Sequence, residues 1–201
     1  MNNEVKIYAV DDNEDWLDSI QWLFKSVGKE VEVFNSAQLF FEQYDPAQAG
    51  CLILDVRIPG MSGLQLQKAL EGRDRNLRII FLSGHATVST AVSAMKAGAV
   101  DFLEKPVDDQ VLLDKVQEVQ DELMQNLEKI GRTADLEQRL KALTIREQEV
   151  LQQLLAGHSS KVIAQNLHVS TRTIETHRGN ILNKTGVPSV VELLAKVKNL
   201  V

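Results

Sequence analysis

Apolar residues in the first half of the chain fall in short unbroken runs, at 5–10, 31–34, 51–54, 79–82 and 102–103, each closed by a charge or a turn residue. Runs this short, rich in Val and Ile, predict strands buried on both faces, the pattern of a parallel sheet. The stretches between them carry apolar residues at helical spacing, over 14–27, 36–44, 63–70 and 88–97, with a fifth such pattern starting near Asp109. Five strand–helix repeats predict an α/β domain, a doubly wound five-stranded parallel sheet with helices on both faces. Asn35-Ser36 opens a helix, Pro59-Gly60 makes a turn and Gly98 ends a helix, each at the place this scheme needs it.

Beyond Asp109 no strand pattern recurs. Leu, Val and Ile at 112, 113, 116, 119, 123, 127, 130, 136 and 140 keep nearly helical spacing past Gly131, which predicts one long helix or two colinear ones. After Ala142 four short helices are expected, over 144–156, 160–167, 171–184 and 190–200. They are separated by Gly157, by His168-Val169-Ser170 and by Gly186-Val187-Pro188. The chain therefore divides into an α/β domain at 1–122, a helical linker at 123–140 and a second, all-α four-helix domain at 141–201.

Charge sharpens this division. The 201 residues carry a net charge of −6, but residues 1–125 hold 21 acidic against 11 basic side chains, and residues 126–201 hold 7 against 11. An acidic first domain argues against nucleic acid there, whereas the basic second domain suits it. The single cysteine, Cys51, opens an apolar strand and reads as a buried, reduced thiol, so a disulfide framework within one chain is excluded. No stretch approaches the roughly 18 apolar residues of a membrane span, and a cytoplasmic protein without membrane contact is expected.

The chemistry lies where the apolar runs stop. Asp11 and Asp12 follow the first run, Asp55 ends the third and Lys105 follows the fifth. In open α/β sheets ligands bind at the carboxyl edge of the strands, so these residues are expected to converge in one acidic pocket with a lysine. Such a carboxylate set suits Mg²⁺, a hard cation that keeps several waters. An aspartate in that setting can attack a phosphoryl group, with metal and lysine offsetting charge on the transferring oxygens.

These residues, together with Pro59-Gly60, Gly63, Ser83 and Pro106, make residues 1 to about 122 resemble the receiver domain of two-component response regulators, a flavodoxin-like fold. The resemblance implies that Asp55 accepts a phosphoryl group from a sensor histidine kinase. It implies that Asp12, Asp55 and the backbone carbonyl of Arg57 hold Mg²⁺, with Asp11 supporting it through water, and that Lys105 pairs with the phosphoryl group ahead of a cis bond to Pro106. Ser83 and Phe102 are the implied switch pair, although core packing alone also accounts for Phe102. Arg57 and His85, two positions after Asp55 and Ser83, are expected to influence hydrolysis of the phosphorylated form. Dimerisation on phosphorylation is expected at the fourth helix, fifth strand and fifth helix, with Val88, Val92, Val111 and Leu112 as exposed apolar candidates.

The helices at 160–167 and 171–184, joined by a short turn, have helix-turn-helix proportions, with Val162, Ile163, Leu167, Ile174, Ile181 and Leu182 packing them together. Leu143-Thr144, Arg146-Glu147, Ile163-Ala164, Thr173-Ile174, His177 and Asn180-Ile181 resemble the LuxR-type helix-turn-helix, and the whole chain resembles regulators of the FixJ/NarL type. That implies binding of double-stranded DNA and regulation of transcription, with RNA polymerase as a further partner. Glu175, Thr176 and Gly179 are candidates for facing bases, and Lys161, Arg172, Arg178 and Lys184 for contacting phosphates. An intrahelical pair of Glu175 with Arg172 or Arg178 competes with its base-reading role, and His177 is expected to pack inside.

Two other readings compete. A Mg²⁺-dependent phosphatase with Asp55 as nucleophile commonly places an acid two residues later; here that residue is Arg57, so no enzyme is expected. A phosphorylation-independent LuxR-type transcription factor with a vestigial receiver is opposed by the complete set of acids, hydroxyl and lysine.

Overall fold

In the computed structural model, which describes residues 5–72, 76–84, 87–198 and 200, the apolar runs pair in parallel. Strands β1 (Lys6–Val10), β2 (Glu32–Phe34), β3 (Gly50–Leu54), β4 (Leu77–Ser83) and β5 (Asp101–Glu104) form one sheet in the order β2-β1-β3-β4-β5. Helices α1 (Glu14–Ser26), α2 (Ala37–Gln43), α3 (Gly63–Leu70), α4 (Val88–Lys96) and α5 (Asp109–Lys141) follow the strands in turn.

Because side chains alternate across a strand, each central strand feeds two cores. Ile7 and Ala9, Cys51 and Ile53, and Ile80 and Leu82 point to one layer, where Leu17, Ile20 and Phe24 of α1 meet Leu112, Val116, Val119 and Leu123 of α5. Tyr8 and Val10, Leu52 and Leu54, and Ile79 and Phe81 point to the other, against Phe40, Leu66 and Ala94. This double coverage is why the strands read as continuous apolar runs. Leu112, expected on an exposed face, is fully buried in the first layer, because the inward stripe of α5 runs 112, 116, 119, 123.

Polar side chains fix the helix starts. Asn13, Ser36, Ser62 and Thr87 accept amide bonds from the first turns of α1 to α4, and Asp108 accepts the Gln110 and Val111 amides at the start of α5. Helix α5 is a single helix of 33 residues that runs through Gly131. The expected linker of 123–140 is shortened at both ends: Leu123 and Leu127 pack in the first domain, Leu136 and Leu140 in the second, and every residue of 128–135 is exposed. The chain divides into units at 127/128.

The second unit adds α6 (Ile145–Leu155), α7 (Ser160–Asn166), α8 (Thr171–Thr185) and α9 (Val190–Lys198). Its core is built from Leu136, Leu143, Val150, Leu154, Ile163, Ile174, Ile181 and Leu193. Val162, expected between the two helices of the motif, is instead 37% exposed, and Ile163 and Ala164 supply the buried face of α7. Gly186 ends α8 in the left-handed conformation at φ 69°, which a glycine adopts without strain.

One glycine is fixed by close approach. A Cβ on Gly63 would lie 2.2 Å from the Asp55 carbonyl oxygen, and the Gly63 amide donates to the Val56 carbonyl at 3.1 Å. Gly63→Ala must push α3 off the end of β3, and urea unfolding of the first unit is expected to show a loss of about 2 kcal/mol. An unchanged midpoint would mean that this contact relaxes freely.

Candidate functional site

Strand register sets the site. Val10 lies opposite Leu54, and Leu54 opposite Phe81, so the residues following β1 and β3 reach the same edge of the sheet. The Asp11 amide donates to the Phe34 carbonyl at 3.1 Å, and the Asp55 amide to the Val10 carbonyl at 2.9 Å. Ser83, the last residue of β4, is buried beside them, and the Lys105 amide donates to its carbonyl at 3.0 Å. The expected cis bond joins Lys105 to Pro106.

The Lys105 ammonium pairs with Asp11 Oδ2 and lies 3.2 Å from Asp55 Oδ1. The remaining oxygens take backbone donors: Asp11 Oδ1 accepts the Asn13 amide at 3.0 Å, and Asp55 Oδ2 accepts the Arg57 amide at 2.5 Å. Burial pushes the Asp55 carboxyl above its ordinary range; the Arg57 amide and the Lys105 ammonium pull it back, and the neighbouring Asp11 charge adds to the rise. Burial likewise pushes the Cys51 thiol up to about 12, so it stays protonated.

Asp12 lies on the rim, exposed, and with Arg57 lines a recess of about 480 Å³ that also takes in Val56, Ile58 and Thr90. Asp11, Asp55 and Lys105 are thus in direct contact, whereas Asp12 is not drawn into a closed three-carboxylate cage; among the described residues no group of three or more acidic, imidazole or thiol side chains gathers as a metal cluster. Phe102 is half-buried and stacks on Phe81 at 5.9 Å between ring centroids. His85 lies outside the described residues. Sequence reading missed Trp16, whose ring lies 4.2 Å from the Lys105 Nζ; no local spacing in the sequence links the two.

In the second unit, α8 exposes Arg172, Glu175, Thr176 and Gly179 along one side, with Lys161 exposed on α7. Asn180 and Asn183 are also exposed on α8 and were passed over, although each lies four residues beyond a candidate, Thr176 and Gly179 respectively, and so on the same side. Two predicted phosphate contacts are engaged within the domain. Arg178 donates to Ser160 Oγ at 2.6 Å and pairs with Glu175 at 3.0 Å, the intrahelical pair that competed with base reading. Lys184 pairs at 2.7 Å with Glu147, whose side chain is only 4% exposed and also closes the capping box with Thr144 at the start of α6. That ammonium ties α8 to α6, so its charge is already engaged within the domain. His177 is half-buried, and its Nδ1 is buried without a hydrogen-bond partner, consistent with packing inside. No helix of the described residues is long and apolar enough to cross a membrane.

A doubly wound sheet with an acid–lysine edge, followed by a helix-turn-helix, defines a response regulator that binds DNA. The chain belongs to that family: residues 7–117 match the response regulator receiver domain, and residues 141–197 match the bacterial regulatory proteins of the luxR family. Among its relatives, the response regulator protein TodT of Pseudomonas putida is 38% identical over 96% of this chain and 86% of its own length. The transcriptional regulatory protein TdiR of Thauera aromatica is 40% identical over 96% and 85%, and FixJ of Bradyrhizobium diazoefficiens 36% over 96% and 95%. Among solved structures, the response regulator StyR superposes with a TM-score of 0.82 at 37% identity, covering 98% of this chain and 99% of that one. Full-length FixJ from B. japonicum gives 0.59 at 34%, covering 98% and 97%.

Two substitutions test the reading of α8. Burial raises the Glu147 carboxyl, but the bonds from Lys184 and Thr144 outweigh it and hold the group below its ordinary range. Its contribution to stability is therefore full above the ordinary carboxyl pKa and lost as pH falls through the lowered one. Lys184→Met is expected to cost about 2 kcal/mol at pH 7, a buried pair discounted for the part-exposed lysine, and chemical denaturation should show the difference from wild type closing below about pH 4.5. Gly179 is exposed, with nothing within 4 Å of the place a Cβ would occupy, so Gly179→Ala should raise stability by about 1 kcal/mol; a fall in DNA affinity alongside that gain, measured by titration, would mark close backbone approach.

Proposed function

We propose that Asp55 is the phosphoacceptor of this regulator and that its charge state controls DNA binding by the second unit. The contact that carries the reading is the Lys105 ammonium, held between Asp11 and Asp55 at the carboxyl edge. Asp55 attacks the phosphorus of a phosphohistidine on a partner sensor kinase; an O–P bond forms as the N–P bond breaks, and Lys105 moves to the new phosphoryl oxygens.

Two buried carboxylates share a single ammonium, with Asp12 exposed at the rim, and the resulting deficit of positive charge fits Mg²⁺, which needs only one or two carboxylates and keeps its waters. Asp11, Asp12, Asp55 and the Arg57 carbonyl would hold it. When bound it supplies positive charge to the phosphoryl oxygens. Ser83, buried beside Asp55, turns its hydroxyl to the phosphoryl group, and Phe102 moves into the space released. Arg57, exposed at the rim, influences the path of an attacking water.

The output is a dimer. Val88 at 83% exposure, with Val92, Met95 and Val111, leaves an apolar surface on α4 and the start of α5 that suits a second copy. Two copies then set their α8 helices on paired half-sites of double-stranded DNA, with Glu175, Thr176 and Gly179 toward bases and Lys161 and Arg172 toward phosphates. Arg178 joins them if it releases Ser160. The protein works in the cytoplasm and acts on transcription by RNA polymerase.

Acetyl phosphate with Mg²⁺ is expected to raise the dimer fraction of the wild type in sedimentation velocity and to leave Asp55→Asn monomeric. An equal gain in both would favour a phosphorylation-independent factor.

A further inference from the structure

We propose that Trp16 is a positioning residue for phosphoryl transfer, holding the Lys105 ammonium on the face of its indole. The inference rests on the phosphoacceptor reading of Asp55 and deepens it.

The contacts close a loop. Asp11 Oδ1 accepts the Asn13 amide at 3.0 Å, and Asn13 Oδ1 accepts the Trp16 amide at 3.1 Å, which starts α1. The Trp16 ring, half-buried against the first core layer, then lies 4.2 Å from the Lys105 Nζ, which returns to Asp11 Oδ2. The acid, the helix cap and the aromatic face are therefore fixed by one local fold. An ammonium over an indole is attracted by the ring quadrupole, most strongly where it is partly desolvated, and the Lys105 side chain is 21% exposed.

A lysine stem otherwise loses considerable rotamer freedom when its end group is fixed. Here carboxylates hold the ammonium on one side and the indole on another, so that loss is taken in folding and not during transfer. When Asp55 is phosphorylated the ammonium shifts toward the phosphoryl oxygens without leaving the pocket. The ring also denies water one flank of the lysine.

The chain has two tryptophans, and Trp22 is 72% exposed, outside this loop, so Trp22→Phe leaves Trp16 as the sole indole. In that background Lys105→Met is expected to change Trp16 emission with no metal or phosphodonor present, because the cation on the ring is gone. Phosphorylation by acetyl phosphate with Mg²⁺ is expected to slow about fivefold in Trp16→Leu and to return to within about twofold of wild type in Trp16→Phe, which keeps an aromatic face.

A wild-type rate in Trp16→Leu, a Trp16→Phe as slow as Trp16→Leu, or emission unmoved by Lys105→Met would each overturn the proposal. Should Trp16→Leu fail to fold by circular dichroism, the Trp16→Phe rate and the emission of Lys105→Met decide it. A wild type that takes no phosphoryl group at all would overturn the phosphoacceptor reading and this one together.

Discussion

Parallel pairing without offset between β1, β3 and β4 brings Asp11 and Asp55 to one level, although 44 residues separate them in the chain. Every other feature of the pocket depends on that alignment. Two carboxylates buried side by side repel each other and lose hydration, a cost that one ammonium and a few backbone amides offset only in part. The surrounding sheet supports it, because fully buried Leu52, Ile53, Leu54, Ile80, Phe81 and Leu82 continue from the same central strands into both layers. The site is thus electrostatically incomplete but rigidly framed.

The helix-turn-helix unit divides its charges differently. Glu147 and Lys184 build the domain, closing a capping box and tying α6 to α8. Arg178 and Ser160 join α7 to α8 in the same way. The outward side of α8 is left with Arg172, Glu175, Thr176, Asn180 and Asn183, side chains able to both donate and accept, which is what base edges and phosphates require. Basic charge in this unit therefore serves shape as well as nucleic acid, and a net count overstates the part offered to DNA.

Strand ends were legible because burial on both faces leaves an unmistakable apolar run, and a charge that stops such a run has to lie at an edge. Asp11, Asp55 and Lys105 follow from that rule, and the parallel pairing of the sheet follows from the alternation of strands and helices. Exposure on helices was harder to read. Leu112 and Leu113 are adjacent, and only packing against the sheet decides that Leu112 turns inward. The tie of Lys184 to Glu147 was not legible because the two lie 37 residues apart, on different helices, and no local pattern links them. Trp16 escaped notice for the same reason: its tie to Lys105 spans 89 residues and joins an indole to an ammonium, a pair without a spacing rule. Gly131 suggested a break in α5, yet one glycine costs a helix about 1 kcal/mol, which neighbouring turns absorb.

The exposed stretch of α5 at residues 128–135 has a thermodynamic consequence. Nothing is buried along it, and a helical segment this short has little intrinsic stability in water. The Glu128–Arg132 pair adds a few tenths of a kcal/mol and Gly131 removes more. Its helicity is therefore borrowed from the folded units on either side, and it passes on little of the free energy of either. This stretch is therefore expected to be the first part of α5 to exchange its amide hydrogens.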